Sequence, residues 1–228
     1  MSLLDGRLSQ VLALIPGGSI LLDIGTDHCK LPAEGLLSGK LAGAYAADLR
    51  QGPLDAAAKQ LKELGLQDRI PLFLSDGLKQ IPLEVLHQVT AVSVAGMGGE
   101  LISAIMKSAP AEPPLWVLQP MSAVYELAED LARGGYQTVA AALAQDGDKF
   151  YRILAVKKTG ESREPDYFEQ LEQDPLLGAY LEKEENRIRA ALRGLHSARH
   201  PDARRIQREE QLLAAVERVK NGKSKRNL

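Results

Sequence analysis

The stretch LLDIGTDHCKLP, residues 21–32, opens as an apolar strand and breaks after Asp23 into small and polar residues. A buried strand does not keep two carboxylates, a glycine and a histidine together at its end unless that end faces something polar. In an open parallel sheet, ligands sit beyond the carboxyl ends of the strands. The stretch therefore reads as strand, ligand-facing turn and helix start.

The rest of the first 158 residues repeats this plan. Apolar runs at 20–24, 42–47, 70–74, 90–95, 115–118, 138–143 and 151–156 alternate with helical stretches such as 54–63 and 122–133. Such alternation predicts an α/β fold, a Rossmann-like parallel sheet covered by helices. The last two runs are separated by a short turn near 146–149, which predicts a closing antiparallel hairpin.

Beyond Lys158 the polar connector TGESREPD leads into a segment with no strand pattern. Leu177, Leu181, Ile188, Leu192 and Leu195 recur at helical spacing, and after Pro201 so do Ile206, Leu213 and Val216. Two antiparallel amphipathic helices are expected, with a disordered tail KNGKSKRNL. The chain thus divides into an α/β domain, 1–158, and an all-α, coiled-coil-like domain, 159–228.

Composition narrows the function classes. One cysteine, Cys29, among 228 residues excludes an internal disulfide framework and a multi-cysteine zinc site, and no metal site is expected. A net charge of -2 gives no global attraction to polyanions. No apolar run reaches the roughly 18 residues of a membrane span, and the first residues do not resemble a signal peptide. A cytoplasmic monomer with no obligate protein partner is expected. Cys29 and Trp116 read as packing residues.

The turn after the first strand decides the ligand. A dinucleotide fingerprint needs three glycines around a pyrophosphate, whereas here Gly25 stands alone before Thr26, Asp27 and His28. Asp23 and Asp27 would repel a pyrophosphate and suit a cationic ligand without phosphate. S-adenosylmethionine has that character. Asp48, at the end of the second strand, is placed for ribose hydroxyls, and Asp76, before Gly77, for the amine of adenine. Each has a structural alternative: a helix cap for Asp27 and Asp48, a plain turn for Asp76–Gly77, an exposed or structural role for His28.

With LLDIGTDHCKLP, AADLRQGP, SDGL, VAGMGGELI, LQP and DGDKFYRIL in this order, the chain resembles the bacterial tRNA (adenine-22-N1)-methyltransferases. The resemblance implies a class I methyltransferase sheet of seven strands with the last antiparallel, S-adenosylmethionine as cofactor, and tRNA held partly by the helical domain. Position by position it assigns Asp23, Gly25, Asp27 and His28 to the first cofactor motif, Asp48 to the ribose, and Asp76 and Gly77 to the adenine. It places Ala95, Gly96 and Met97 toward the cofactor, with Gly98, Gly99, Gln119 and Pro120 toward the target base. Two positions depart from the pattern: Met121 stands where asparagine is expected, and Phe150 where a basic residue is expected.

Methylation at adenine N1 makes the base cationic, so a nearby carboxylate can balance the charge or receive an N6 proton. Asp27 is the first candidate for that role and His28 the second, with donor binding as the alternative for Asp27. Tyr151 and Phe150 are candidate stacking surfaces, with core packing as the alternative. From Arg199 onward nine Lys/Arg stand against four Asp/Glu, and Arg204, Arg205 and Arg208 form a candidate phosphate-facing patch. Arg187, Arg189 and Arg193 are offset by Glu182, Glu184 and Glu185 and read as a solvated face. Two other readings remain: a dehydrogenase of related fold, which the missing glycines oppose, and a non-catalytic adaptor.

Overall fold

A computed structural model describes residues 2–109 and 114–226. The chain forms two compact units, Met1–Pro165 and Asp166–Leu228. The first extends to Pro165 rather than stopping at 158, because the connector stays bonded to it. Thr159 and Gly160 N–H donate to the Gly135 carbonyl, and Arg163 N–H to that of Ala132.

In the first unit, α1 (Gly6–Leu14) precedes β1 (Ser19–Ile24), α2 (Lys30–Leu37), β2 (Leu41–Asp48), α3 (Gln51–Glu63), β3 (Leu72–Leu74) and α4 (Leu83–Leu86). There follow β4 (Ala91–Gly98), α5 (Gly99–Met106), β5 (Leu115–Ser122), α6 (Val124–Arg133), β6 (Tyr136–Asp146) and β7 (Lys149–Lys158). The seven strands form one sheet in the order β3-β2-β1-β4-β5-β7-β6. β7 runs antiparallel to β5 and β6, as expected, while β1 to β5 pair in parallel.

Period-two alternation sends side chains to two buried layers. Leu21, Val117, Ile153 and Ala155 join Val11, Leu36 and Leu61 on one face. Leu22, Ile24, Val94, Trp116, Leu118 and Leu154 join Ile102 and Leu127 on the other. Trp116 is wholly buried and Cys29 packs inside the first layer, as their sequence context implies.

Several boundaries differ from the sequence reading. β4 does not end at Ala95: it continues to Gly98 beside β5 through bulges around Met97, so the glycine segment is largely strand. β5 likewise runs to Ser122, which delays α6 to Val124. β6 and β7 are longer than expected because their ladder continues to the Asp146–Lys149 pair. α1 is an element the apolar runs did not announce. Asp5 caps it by accepting the Leu8 N–H at 2.7 Å, and it packs across β6 and β7.

The second unit is a hairpin of α7 (Leu177–His196) and α8 (Ala203–Arg226), preceded by a short 3-10 turn, Glu169–Leu171. Leu177, Tyr180, Leu181 and Ile188 of α7 are buried, as are Leu212, Ala215, Val216 and Val219 of α8. Leu212, not Leu213, occupies the seam. The expected disordered tail is helical as far as Arg226, and residues 227 and 228 lie outside the described residues. The charged face of the hairpin is laced across its two helices. Arg187 pairs with Glu184 and Glu209, Arg189 with Glu185 and Glu217, and Lys220 with Glu185.

Candidate active site

The strand order reverses direction between β1 and β4, and at such a switch point a crevice opens beyond the carboxyl ends of the strands. A cavity of about 300 Å³ lies there, lined by Asp23, Gly25, Asp27, Lys30 and Ala95, with Leu3, Leu4, Asp5 and Arg7 from the N-terminal segment.

Asp23 is the buried acid of this crevice. It lies opposite Ser93 across the β1–β4 ladder, and the Ser93 hydroxyl donates to its Oδ1 at 2.6 Å. Burial pushes its carboxyl above the ordinary range, and the Ser93 hydrogen bond only partly opposes this. Ser93 was missed from the sequence, although a serine inside TAVSVAG is a visible polar break in an apolar strand.

The turn after β1 is built from left-handed residues. Gly25 has φ +74° and its N–H, like that of Thr26, donates to the Ala47 carbonyl of β2. His28 and Cys29 follow with φ 55° each, a conformation that costs non-glycine residues energy and recurs at functional turns. Asp27 does not cap α2: the cap position belongs to Cys29, which makes no side-chain cap bond. Instead Asp27 and His28 project outward, 78% and 49% exposed, with Oδ1 and Nε2 3.5 Å apart. Burial raises the Cys29 thiol far above its usual range, which fits a packing role.

The other acids occupy the neighbouring strand ends. Asp48 closes β2, nearly buried, accepting the Arg50 N–H at 2.8 Å. Asp76 follows β3, its Oδ2 2.5 Å from Lys79 Nζ and its N–H bonded to Gln80 Oε1. Gly77 has φ +61° and abuts Ile105, so the turn needs glycine there. Leu49 and Leu74 leave large apolar side chains exposed beside these acids.

On the β4–β5 side one amide organises the wall. Gln119 is 0% exposed. Its Oε1 accepts from Arg7 Nη1 at 2.6 Å and from the Gly96 N–H at 3.0 Å. Its Nε2 donates to the Pro120 carbonyl at 2.9 Å and lies 3.4 Å from Met121 Sδ. Gln119 thus holds the site from behind. Arg7 was also missed from the sequence: it is the only cation among the cavity's lining residues apart from Lys30, and it lies 112 positions from its partner.

Gly98 and Gly99 serve packing, and Gly99 and Pro120, expected to face the target base, are buried. A β-carbon on Gly99 would lie 2.4 Å from the Ala123 carbonyl oxygen, and one on Gly98 3.1 Å from Ser122 Oγ. Tyr151 and Phe150 start β7 at the edge reached by the end of β5, but Tyr151 is half-buried against the first core layer. In the second unit, Arg204 and Arg205 are exposed and Arg208 half-buried on the first turns of α8. Among the described residues, no group of three or more His, Cys, Asp or Glu side chains is placed to hold a metal ion.

Comparison with known proteins agrees with this geometry. Residues 4–154 match the family model described as a methyltransferase domain. The chain is 30% identical over 188 residues to the tRNA (adenine(22)-N(1))-methyltransferase of Bacillus subtilis, covering 81% of this chain and 77% of that protein. Among solved structures, Streptococcus pneumoniae Sp1610 in complex with S-adenosyl-L-methionine superposes with a TM-score of 0.78 at 28% identity, covering 95% of this chain and 99% of that one. M. capricolum TrmK in complex with S-adenosyl-homocysteine gives a TM-score of 0.78 at 25% identity, covering 95% and 97%. The acid-edged switch point, the antiparallel seventh strand and these likenesses together place the chain in the tRNA (adenine-22-N1)-methyltransferase family of class I methyltransferases.

Proposed function

We propose that the chain transfers a methyl group from S-adenosylmethionine to N1 of adenine 22 in bacterial tRNA. The observation that carries this reading is the chemistry of the crevice. Asp23, Asp27, Asp48 and Asp76 stand on three adjacent strand ends, with Arg7 on the facing wall and no glycine-rich phosphate cradle.

These residues fit the cofactor group by group. Asp23 and Asp27 suit its ammonium and sulfonium, Asp48 its ribose hydroxyls and Arg7 its carboxylate. Asp76, Gly77, Leu49 and Leu74 suit its adenine, with Ala95, Gly96 and Met97 as the wall behind the methyl. When bound, S-adenosylmethionine supplies the electrophilic methyl group. The protein's part is alignment and charge, because adenine N1 already offers a lone pair.

N1 lies on the pairing edge of adenine, so the target base must leave any pair or stack before reaction. Gly98 borders the surface it approaches, with the buried Gly99, Gln119 and Pro120 holding that surface from behind. Asp27, with His28 at 3.5 Å, stands at the open mouth, where a carboxylate balances the charge of the methylated base or takes its N6 proton. Tyr151 supports the same edge. The second unit, Asp166–Leu228, forms the tRNA-holding domain, with Arg204, Arg205 and Arg208 toward phosphates.

The protein acts as a monomer in the cytoplasm under this reading. No helix among the described residues is long and apolar enough to cross a membrane. The decisive experiment supplies isotopically labelled S-adenosylmethionine and unmodified bacterial tRNA, then maps the methylated nucleotide by mass spectrometry. Label in 1-methyladenosine at position 22 is expected. Label elsewhere, or none, overturns the assignment.

A further inference from the structure

Large apolar side chains left exposed are few among the described residues, and four of them, Leu49, Leu74, Leu101 and Met121, gather at the carboxyl edge of the sheet. Scattered surface leucines need no explanation, but apolar groups collected at a polar crevice do. They fall into two pairs. Leu49 and Leu74 follow β2 and end β3, beside the acids assigned to the cofactor's nucleoside. Leu101 lies in the first turn of α5, directly after β4, and Met121 is the penultimate residue of the neighbouring strand β5. The reaction brings two adenines to this edge, one in the cofactor and one in the substrate.

We infer that Met121, with Leu101 at the neighbouring strand–helix junction, is the apolar platform on which the face of the extruded target adenine rests. This rests on the adenine reading above and adds the residue that receives the base. Met121 is 53% exposed and Leu101 51%. An exposed methionine ordinarily wanders over three rotatable bonds. Here the thioether is tethered, with Sδ 3.4 Å from Nε2 of the buried Gln119, whose Oε1 is itself fixed by Arg7 and the Gly96 N–H.

An apolar group that is both exposed and tethered to the wall of the cofactor crevice is preorganised for contact. A thioether is polarizable and packs well on aromatic rings. Lacking a hydrogen-bond donor, it reads the face of the base and not its edge. One amide, Gln119, therefore sets the distance between the cofactor's wall and the surface that receives the base.

The test uses the full chain and unmodified tRNA. Met121→Ala is expected to lower kcat/KM for tRNA about five- to tenfold, most of it in KM, while S-adenosylhomocysteine affinity by calorimetry stays within about twofold. Met121→Leu, which keeps the apolar volume, is expected to recover most of the loss. Unchanged kcat/KM in Met121→Ala, or a parallel loss of S-adenosylhomocysteine affinity, overturns the platform while leaving the adenine reading in place. Absence of methylation by the unaltered protein overturns the adenine reading, and the platform with it.

Discussion

Gly25 and Met97 meet where β1 and β4 diverge: a β-carbon on Gly25 would lie 2.0 Å from Met97 Cε, and Gly25 has φ +74°. Gly25→Ala therefore carries two separable penalties. The backbone angle costs about 1–2 kcal/mol, while the flexible end of Met97 can move, at the expense of space the cofactor needs. The expected outcome is a melting temperature lower by several degrees and S-adenosylhomocysteine affinity down at least about tenfold. Adding Met97→Ala should recover part of the affinity but not the stability. Calorimetry and thermal melts on the three proteins check this.

Asp23 sets a pH dependence with a definite sign. Its carboxyl titrates above the ordinary value of 3.8 in the folded protein because it is buried. The folded state holds that proton more tightly than the unfolded state. This contribution to stability is complete below about 3.8 and is lost as pH rises through the raised value. Asp23→Asn is permanently neutral, so the ligand-free variant should gain stability relative to the parent as pH climbs above the ordinary carboxylate value of 3.8 and through the raised one. The cationic cofactor favours the ionised carboxylate, so parent affinity should strengthen over the same interval while the variant's stays flat and weak. Melts and calorimetry across pH test both halves. A constant stability difference between the two proteins would exclude Asp23 as the source.

Arg7 is assigned to the one anionic group of the cofactor. Arg7→Met should weaken S-adenosylhomocysteine binding by roughly tenfold or more, the scale of a charge-assisted hydrogen bond. Binding of 5′-methylthioadenosine, which has no carboxylate, should change little. The discrimination between these two ligands, measured by calorimetry, is therefore the diagnostic quantity. Equal losses for both would mean that Arg7 acts only by holding Gln119.

In the helical unit the ion-pair pattern separates two sets of arginines. Arg187 and Arg189 are engaged with glutamates of both helices, whereas Arg204 and Arg205 stand exposed. Arg204→Ala/Arg205→Ala should weaken tRNA binding and flatten the slope of log affinity against log salt by about 0.7–0.9 per lost phosphate contact. Arg189→Ala should leave that slope unchanged. Filter-binding titrations between about 50 and 200 mM KCl distinguish them.

The sheet was largely legible because strand and helix periods alternate cleanly, and because Asp23, Asp48 and Asp76 recur at or just past the ends of apolar runs. What sequence could not show were relations between distant positions. Arg7 joins the site only because α1 is laid across β6 and β7, which brings it to Gln119, 112 residues away. Ser93 became meaningful only once the β1–β4 register set it opposite Asp23.

Ends of elements were the other weakness. Glycine at 96, 98 and 99 signals a break, yet hydrogen bonding to β5 carries β4 through it to Gly98. The basic composition of residues 220–226 signals disorder, yet α8 continues through them to Arg226. Leu212 and Leu213 are adjacent, and only the rotation of α8 against α7 selects Leu212 for the seam.

The position of β7 between β5 and β6 governs how the molecule is made. β6 emerges from the ribosome before β7 and has no other neighbour in the sheet. A nascent chain that ends before β7 therefore carries β5 with an open flank and β6 with nowhere to dock. The sheet closes only when synthesis has passed Lys158, and until then the strand bearing Gln119 has one side unsealed.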